Sequence, residues 1–172
     1  AMHLTGSTAS ATTVTVANNI IHTLVNTSTN SFAELRGIYI AGGKMTFQNN
    51  MVAIGYDVSG TSLSNNLIIN GIYETGGTNN FYFNTVYIGG TGVIGNNKCY
   101  ALRSLTTGVA RIYKNNIFQN SRSGTGKYYA IQLSGTGTNP SGLVSGNNKF
   151  FADGTGGVLG IYAGSDKTSL LA

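Results

Sequence analysis

Charged residues, proline, cysteine and tryptophan are all scarce in this sequence. Only 9% of its 172 residues are charged, and it holds one proline, one cysteine and no tryptophan. The single Cys99 excludes an internal disulfide and any metal cluster built from cysteines. No apolar run approaches the roughly 20 residues that span a membrane. With 41% hydrophobic residues, the chain is expected to fold rather than form a linker, a collagen-like rod or a disordered segment.

The small number of acids limits the possible chemistry most. The five acidic residues are Glu34, Asp57, Glu74, Asp153 and Asp166. A calcium site, a pair of hydrolytic carboxylates or a catalytic triad would have to draw on this set. The formal net charge is +5, and the positive excess lies in residues 91–172. This asymmetry favours an anionic partner only weakly. It arises from missing acids rather than clustered bases, so nucleic-acid binding is not expected.

Glycine and asparagine are abundant instead, and asparagine follows an internal repeat. A cassette of an apolar residue, any residue, Asn or its replacement, a second Asn and further apolar residues recurs six times. The second asparagine of the cassette falls at Asn19, Asn50, Asn66, Asn84, Asn116 and Asn148. Each cassette is followed by a small residue (Asp in one case), an aliphatic residue and then usually a polar residue or Tyr. These follower elements are Gly37-Ile38-Tyr39, Asp57-Val58-Ser59, Gly71-Ile72-Tyr73, Ala101-Leu102-Arg103, Ala130-Ile131-Gln132 and Gly160-Ile161-Tyr162.

Six cassettes with six followers predict six coils of one solenoid. The apolar runs are short, rich in Val, Ile and Tyr, and bounded by Gly, Asn and Ser/Thr clusters, which favours strands over helices. The predicted fold class is all-β, a parallel β-helix of about six coils that forms a single domain over residues 1–172. Residues 1–10 are expected to be an N-terminal cap or the remnant of a tag. Residues 164–172 are expected to be a C-terminal cap or a linker.

The paired asparagines are predicted to be scaffold residues. An Asn at one corner of every coil can adopt the left-handed backbone conformation. Its side-chain amide can then bond the equivalent Asn in the coils above and below. The prediction is therefore an Asn ladder along the solenoid rather than a ligand site.

The repeats resemble those of the right-handed parallel β-helix superfamily, whose best-known members are pectate-lyase-like. The resemblance extends from about residue 11 to about residue 163 and rests on the Asn-Asn-aliphatic cassettes and their follower strands. Segments 83–90, 115–118 and 124–131 also resemble repeats of large secreted bacterial surface proteins. The resemblance implies a right-handed coil and a secreted or cell-surface location. It does not imply one activity, because the architecture hosts lyases, hydrolases, adhesins and binding modules.

A catalytic site is not expected. A pectate-lyase-like centre needs several acids on adjacent coils to hold calcium, together with an Arg or Lys base. Asp57 and Glu74 are the best candidate pair, since they could be neighbours on one face, but a solvated or calcium-tolerant surface pair is the favoured interpretation. The prediction is a non-enzyme with no catalytic residue, no metal and no cofactor.

The predicted functional surface is the outer side of the follower strands. Alternation places the aliphatic residue of each follower inside and the next residue outside. The outward residues expected to bind carbohydrate are Tyr39, Tyr73, Arg103, Gln132 and Tyr162. Tyr100 and Tyr129 have the opposite parity and are predicted to lie in the core, while Phe32 is either a loop tip or a cap. Inserted loops 26–36, 89–99, 120–128 and 152–158 are expected on one side, with a groove where coils 2 and 3 lack them.

The leading hypothesis is a monomeric, non-catalytic module that binds a plant or cell-surface polysaccharide, with a catalytic domain as a possible neighbour in the same polypeptide. Neither nucleic acid nor membrane is an expected partner. The alternative is a structural or adhesive repeat of a bacterial surface protein. A lyase using Asp57, Glu74 and Arg103, or an ice-binding solenoid suggested by the many threonines, is less favoured.

Overall fold

Short strands account for nearly all regular structure in the protein. The computed structural model describes residues 1–7 and 13–169, and no helix occurs among them. The strands are, in chain order, β1 (Met2–Leu4), β2 (Val14–Ala17), β3 (Ile20–His22), β4 (Glu34–Ile40), β5 (Met45–Gln48), β6 (Met51–Ile54), β7 (Ile68–Glu74), β8 (Asn80–Tyr82), β9 (Thr85–Ile88), β10 (Cys99–Ser104), β11 (Arg111–Lys114), β12 (Ile117–Asn120), β13 (Tyr128–Leu133), β14 (Leu143–Gly146), β15 (Lys149–Phe151), β16 (Gly157–Tyr162) and β17 (Ser165–Lys167).

These strands form three sheets that the chain visits in turn. Sheet A has the order β1-β4-β7-β10-β13-β16-β17, sheet B the order β2-β5-β8-β11-β14, and sheet C the order β3-β6-β9-β12-β15. All paired strands are parallel except β16 and β17, which are antiparallel. One strand from sheet B, one from sheet C and one from sheet A make a coil. The predicted all-β fold is confirmed, and the protein is a parallel β-solenoid of about five turns.

The part of the chain that the structure describes has one coil fewer than predicted. The follower of the second predicted coil (Asp57-Val58-Ser59) and the Asn66 of the third predicted cassette lie in one loop, residues 55–67, which connects β6 to β7. The carboxylate of Asp57 accepts hydrogen bonds from the backbone N–H groups of Ser59 and Thr61. A carboxylate that bonds its own backbone favours a turn over a strand. As a result Val58, predicted to face inward, is 86% exposed.

The Asn ladder is present in all five coils. Its rungs are Asn19, Asn50, Asn84, Asn116 and Asn148, and the Nδ2 of each donates to the Oδ1 of the next at 2.8–2.9 Å. The backbone N–H of each rung donates to that same Oδ1 at 2.9–3.1 Å. The left-handed corner is the residue before the rung: Asn18, Asn49, Phe83, Asn115 and Asn147, with φ between 53° and 60°. The two roles expected of one asparagine are therefore divided between neighbours.

Stacked apolar rows fill the interior. Ile38, Ile72, Leu102 and Ile131 follow one another in register along sheet A and are buried. Facing them from sheet B, the ring of Phe81 lies 5.1 Å from that of Phe47 and 4.9 Å from that of Tyr113, centroid to centroid. Like side chains stack because parallel strands repeat every 4.8 Å or so in the same register.

Replacing a central rung of the ladder should destabilise the fold strongly. The Asn84 side chain accepts two hydrogen bonds from Asn50 and donates to Asn116 and to the carbonyl of Phe47. At about 1 kcal/mol for each of these four hydrogen bonds, Asn84→Ala should lower the free energy of unfolding by roughly 4 kcal/mol. Asn19→Ala, at the end of the ladder, removes two donated bonds and should cost about 2 kcal/mol. Urea unfolding measures both, and equal losses would contradict the cooperative ladder.

One corner should gain stability on substitution. Phe83 is the corner residue that is not Asn; its φ is 57° and its side chain is 58% exposed. Left-handed backbone costs a bulky residue about 1 kcal/mol or more, whereas Asn tolerates it. Phe83→Asn should therefore raise the free energy of unfolding by about 1 kcal/mol. Phe32→Asn, at an exposed phenylalanine outside the corners, is the matched control and should leave stability nearly unchanged.

Candidate functional site

The outer face of sheet A carries a row of stacked side chains in strand register. His3, Tyr39, Tyr73, Arg103 and Gln132 follow one another on five adjacent strands. The His3 and Tyr39 ring centroids are 4.7 Å apart, and those of Tyr39 and Tyr73 are 5.5 Å apart. The structure thus places four of the five predicted residues in one row. His3 was missed because β1 lies in a segment interpreted as a cap.

The fifth predicted residue, Tyr162, lies outside this row. In the last coil Gly160 pairs with Ile131, so Ile161 pairs with Gln132 and Tyr162 with Leu133. Gly160 therefore occupies the inward position that was expected for Ile161. Repeat alignment alone could not show the shift, because the follower reads Gly-Ile-Tyr in both the first and the last coil.

Two arginines lie against the tyrosine rings. The Cζ of Arg36 is 4.4 Å from the ring centroid of Tyr39 and 5.0 Å from that of Tyr73. The Cζ of Arg103 is 4.7 Å from the centroid of Tyr73 and 4.9 Å from that of Tyr100. Such distances are those of cation–π contacts. Tyr73 is therefore approached by both guanidinium groups, and each group is held in place by two rings.

The carboxylate of Glu34 lies close to both arginines. Glu34 forms an ion pair with Arg36, accepts a hydrogen bond from Asn70, and lies 4.0 Å from a guanidinium nitrogen of Arg103. The hydrogen bond with Glu34 raises the pKa of Arg36 despite its partial burial. Among the residues described, the Nε atoms of Arg36 and Arg103 are buried without a hydrogen-bond partner. With two guanidinium groups and one carboxylate, the cluster keeps a net positive charge.

Tyr100 and Tyr129 are buried, as predicted, at 5% and 0% exposure, but they lie on the outer side of sheet A and not in the apolar cluster inside the solenoid. Their rings stack at 5.3 Å with an interplanar angle of 10°, and Tyr100 contacts Arg103. The alternation is broken because Ala101 and Leu102 both pack into the core. Tyr100 therefore lies on the same side of the sheet as Arg103 and beneath it, which a strict two-residue period could not predict.

The C-terminal hairpin closes one end of the face. The Tyr129 hydroxyl donates to Asp166 at 2.9 Å, and Asp166 also pairs with Lys127 at 2.5 Å. The hydrogen bonds from Lys127 and Tyr129 lower the pKa of Asp166. Burial, followed by the contact with Asp166, raises the pKa of Tyr129. Strand β17 is thereby attached to the outer face as well as to β16.

Loops line one side of the face, as predicted. They are residues 23–33, 55–67, 89–98, 121–127 and 152–156, each of which leaves sheet C and enters sheet A. Phe32, at 86% exposure, is a loop tip rather than a cap. The predicted groove at coils 2 and 3 is wrong, because loop 55–67 fills that position. A cleft of about 240 Å³ does lie beside Arg103, between Ile68, Lys98 and Tyr100.

Hydrogen bonds join each of these loops to the next. The backbone N–H of Asn97 donates to the side-chain Oδ1 of Asn66 at 3.0 Å. The fully buried Arg122 donates to the carbonyls of Leu63 and Gly89. The loops consequently form a connected wall along the aromatic face.

The candidate acid pair is not assembled. Glu74 points into the core with no exposed surface, where it accepts hydrogen bonds from Asn79 at 2.9 Å, Ser104 at 2.6 Å and Tyr113 at 2.7 Å. Burial raises its pKa, and these bonds offset that effect in part. Asp57 lies in the exposed loop 55–67. Glu74 and Arg103 face opposite sides of sheet A, so the three residues of the lyase hypothesis are not brought together.

Within residues 1–7 and 13–169, no group of three or more His, Cys, Asp or Glu side chains is arranged to hold a metal ion. The same part of the chain contains no helix long and apolar enough to cross a membrane. No protein-family model matches the chain, and comparisons with curated proteins and with solved structures found no significant match. The class defined by the structure is a parallel β-solenoid with an aromatic and cationic outer face.

The buried carboxyl group should make stability depend on pH. A pKa raised by folding means that the stabilising contribution of Glu74 is complete below the unfolded value near 4.5 and is lost as pH rises through the folded value. Glu74→Gln stays uncharged at every pH. The free energy of unfolding of the variant relative to the parent protein should therefore rise between about pH 4 and pH 8, as measured by urea unfolding.

Asp57→Asn is the control variant, and its difference in stability from the parent protein should change with pH in the opposite direction. Hydrogen bonds to Ser59 and Thr61 lower the pKa of Asp57 in the folded protein. Its contribution is therefore present above the unfolded value near 3.8 and lost as pH falls. A Glu74→Gln difference that stays constant with pH, or follows the direction of Asp57→Asn, would contradict the raised pKa.

Proposed function

We propose that the protein is a non-catalytic polysaccharide-binding module whose ligand lies along the outer face of sheet A. The observation that carries this proposal is the in-register row of His3, Tyr39, Tyr73 and Arg103 with Arg36 packed against it. Aromatic rings offer apolar surface to the C–H faces of sugars, and guanidinium groups donate to hydroxyl and carboxylate oxygens. A row that repeats at strand spacing suits a ligand that is itself a repeating chain.

The rigidity of the cluster supports binding. Each guanidinium group contacts two rings, and Glu34 orients both. Side chains already held in one arrangement lose little conformational entropy when a ligand arrives. The partly exposed tyrosines and arginines therefore form a prearranged surface rather than a set of free side chains.

The proposal includes a right-handed coil of the pectate-lyase-like kind. Crossovers between parallel strands of one sheet are right-handed in nearly all proteins. We also propose a monomer secreted by a bacterium, acting as an accessory to a catalytic domain of the same polypeptide. The proposed ligands are plant or cell-surface polysaccharides.

The second candidate is a structural or adhesive repeat of a surface protein without a dedicated ligand. The stacked wall of loops and the continuous Asn ladder favour it, because both would stabilise a coil equally well without any ligand. The two proposals differ in one measurable respect. Only a binding module should migrate more slowly in a gel that contains polysaccharide and lose this retardation when residues of the outer face are replaced.

Affinity electrophoresis on neutral and acidic polysaccharides tests the proposal. Tyr73→Ala and Arg103→Ala should each weaken binding about tenfold, since an aromatic or cation–π contact contributes roughly 1 kcal/mol or somewhat more. Tyr87→Ala on the outer side of sheet C and Lys114→Ala on the outer side of sheet B are the matched controls and should bind like the parent protein.

Thermal melting of each variant separates a lost contact from a lost fold. A variant that melts like the parent protein and binds more weakly supports the proposed surface. No retardation of the parent protein on any polysaccharide would sink the proposal and leave the structural repeat as the better account. Equal effects of Tyr73→Ala and Tyr87→Ala would place binding elsewhere.

A further inference from the structure

A second cleft lies at the C-terminal end of sheet A. It has a volume of about 460 Å³ and is bounded by the turn after β13 and by the turn between β16 and β17. Gln132, Leu133, Ser134, Thr136 and Ile161 contribute to its lining. A volume of this order is within the range of sites for small molecules. The cleft adjoins the Arg103 end of the aromatic row, because Gln132 pairs with Arg103.

The chemistry of this cleft differs from that of the arginine cluster. None of the described residues that line it is charged. Leu133 and Ile161 supply apolar surface, while the amide of Gln132 and the hydroxyls of Ser134 and Thr136 supply groups that both donate and accept hydrogen bonds. Apolar surface combined with a few such groups suits an uncharged ligand with several hydroxyls and a C–H face.

Two buried oxygens at this end of the sheet lack hydrogen-bond partners. The Oε1 of Gln132 and the hydroxyl of Tyr162 are both buried without a partner among the residues described. Buried polar atoms are nearly always paired in folded proteins. Gln132 lines the cleft, so a rotation of its terminal amide would bring the unpaired oxygen to a ligand hydroxyl.

Gly135 shapes the wall of the cleft. Its φ is 146°, and a Cβ at this position would lie 2.9–3.3 Å from the ring and hydroxyl of Tyr162. A side chain there would be strained and would press on Tyr162. The shift in the last coil thus gives Tyr162 a different place from the one predicted, behind Gly135 instead of in the aromatic row.

We propose that this cleft is a separate subsite for an uncharged, hydroxyl-rich ring, such as one unit of a neutral sugar. The biological role of this subsite rests on the proposed polysaccharide-binding function. Binding of a single sugar in the cleft does not require the aromatic row. The outer face would then have a cationic centre and a neutral end, which gives a bound chain a direction.

Nuclear magnetic resonance titration of the full chain with methyl glycosides tests the subsite. The probes are the methyl glycosides of glucose, galactose, mannose and xylose, with glucuronic acid as the charged comparison. The backbone amides of Gln132, Ser134 and Thr136 are expected to shift with at least one neutral glycoside. Glucuronic acid should shift them less, because no cation lines the cleft.

Variants connect these shifts to the proposed contacts. Gln132→Met keeps the shape of the side chain and removes its amide, and should weaken glycoside binding about tenfold; Ser134→Ala should weaken it less. Gln48→Met, on the outer side of sheet B, is the matched control and should bind like the parent protein. Arg103→Ala should leave glycoside binding in the cleft unchanged while it weakens binding of a long polysaccharide.

The possible failures are distinguishable. If no neutral glycoside shifts the three amides, or if glucuronic acid shifts them as strongly, the subsite is wrong even where Tyr73→Ala and Arg103→Ala still weaken polysaccharide binding. If glycosides bind the cleft but these two variants bind polysaccharide like the parent protein, the subsite stands and the proposed aromatic face fails. Equal weakening by Gln132→Met and Gln48→Met would also overturn the subsite.

Discussion

The Asn ladder is the interaction on which the rest of the structure depends. Each central rung places a side-chain amide in the interior and provides both of its donors and its acceptor with partners, so that no desolvated group is left unpaired. These bonds form only when equivalent asparagines lie directly above one another. A slip of one residue in any coil would leave buried amides unpaired, and the ladder therefore imposes the register of every strand that follows it.

Because of that register, equivalent residues of successive coils form continuous rows on the surface. Since coils stack without a shift, residues at equivalent positions become neighbours along the axis, and Tyr39 comes to lie against Tyr73 although 34 residues separate them. The effect weakens past the last rung. In the final coil Gly160 pairs where an aliphatic residue was expected, and Tyr162 leaves the row.

The fold was predictable from the sequence to a large extent, and the site to a smaller one. The true rungs of the ladder are 31–34 residues apart, which is the length of one coil. The cassette that contains Asn66 has the sequence of a rung but lies in a loop. Composition cannot separate the two, because Asn is favoured both in turns and in ladders. Tyr100 was assigned to the wrong face of sheet A, and Glu74 to the surface, for a related reason. The paired inward residues Ala101 and Leu102 follow Tyr100 and break the alternation. Glu74 is tolerated inside because Asn79, Ser104 and Tyr113 surround it, contacts that no local pattern reveals.

The two glutamates of sheet A show why binding is better placed on the outside of the solenoid than within it. Glu74 has three hydrogen-bond donors of the protein around it, and its capacity is used by the fold. Glu34 instead faces two guanidinium groups with a single negative charge, so its surroundings retain positive charge. Because rings hold both arginines in position, this charge has a fixed place on the surface. A fixed positive charge beside partly exposed rings favours a ligand that brings oxygens and apolar faces together.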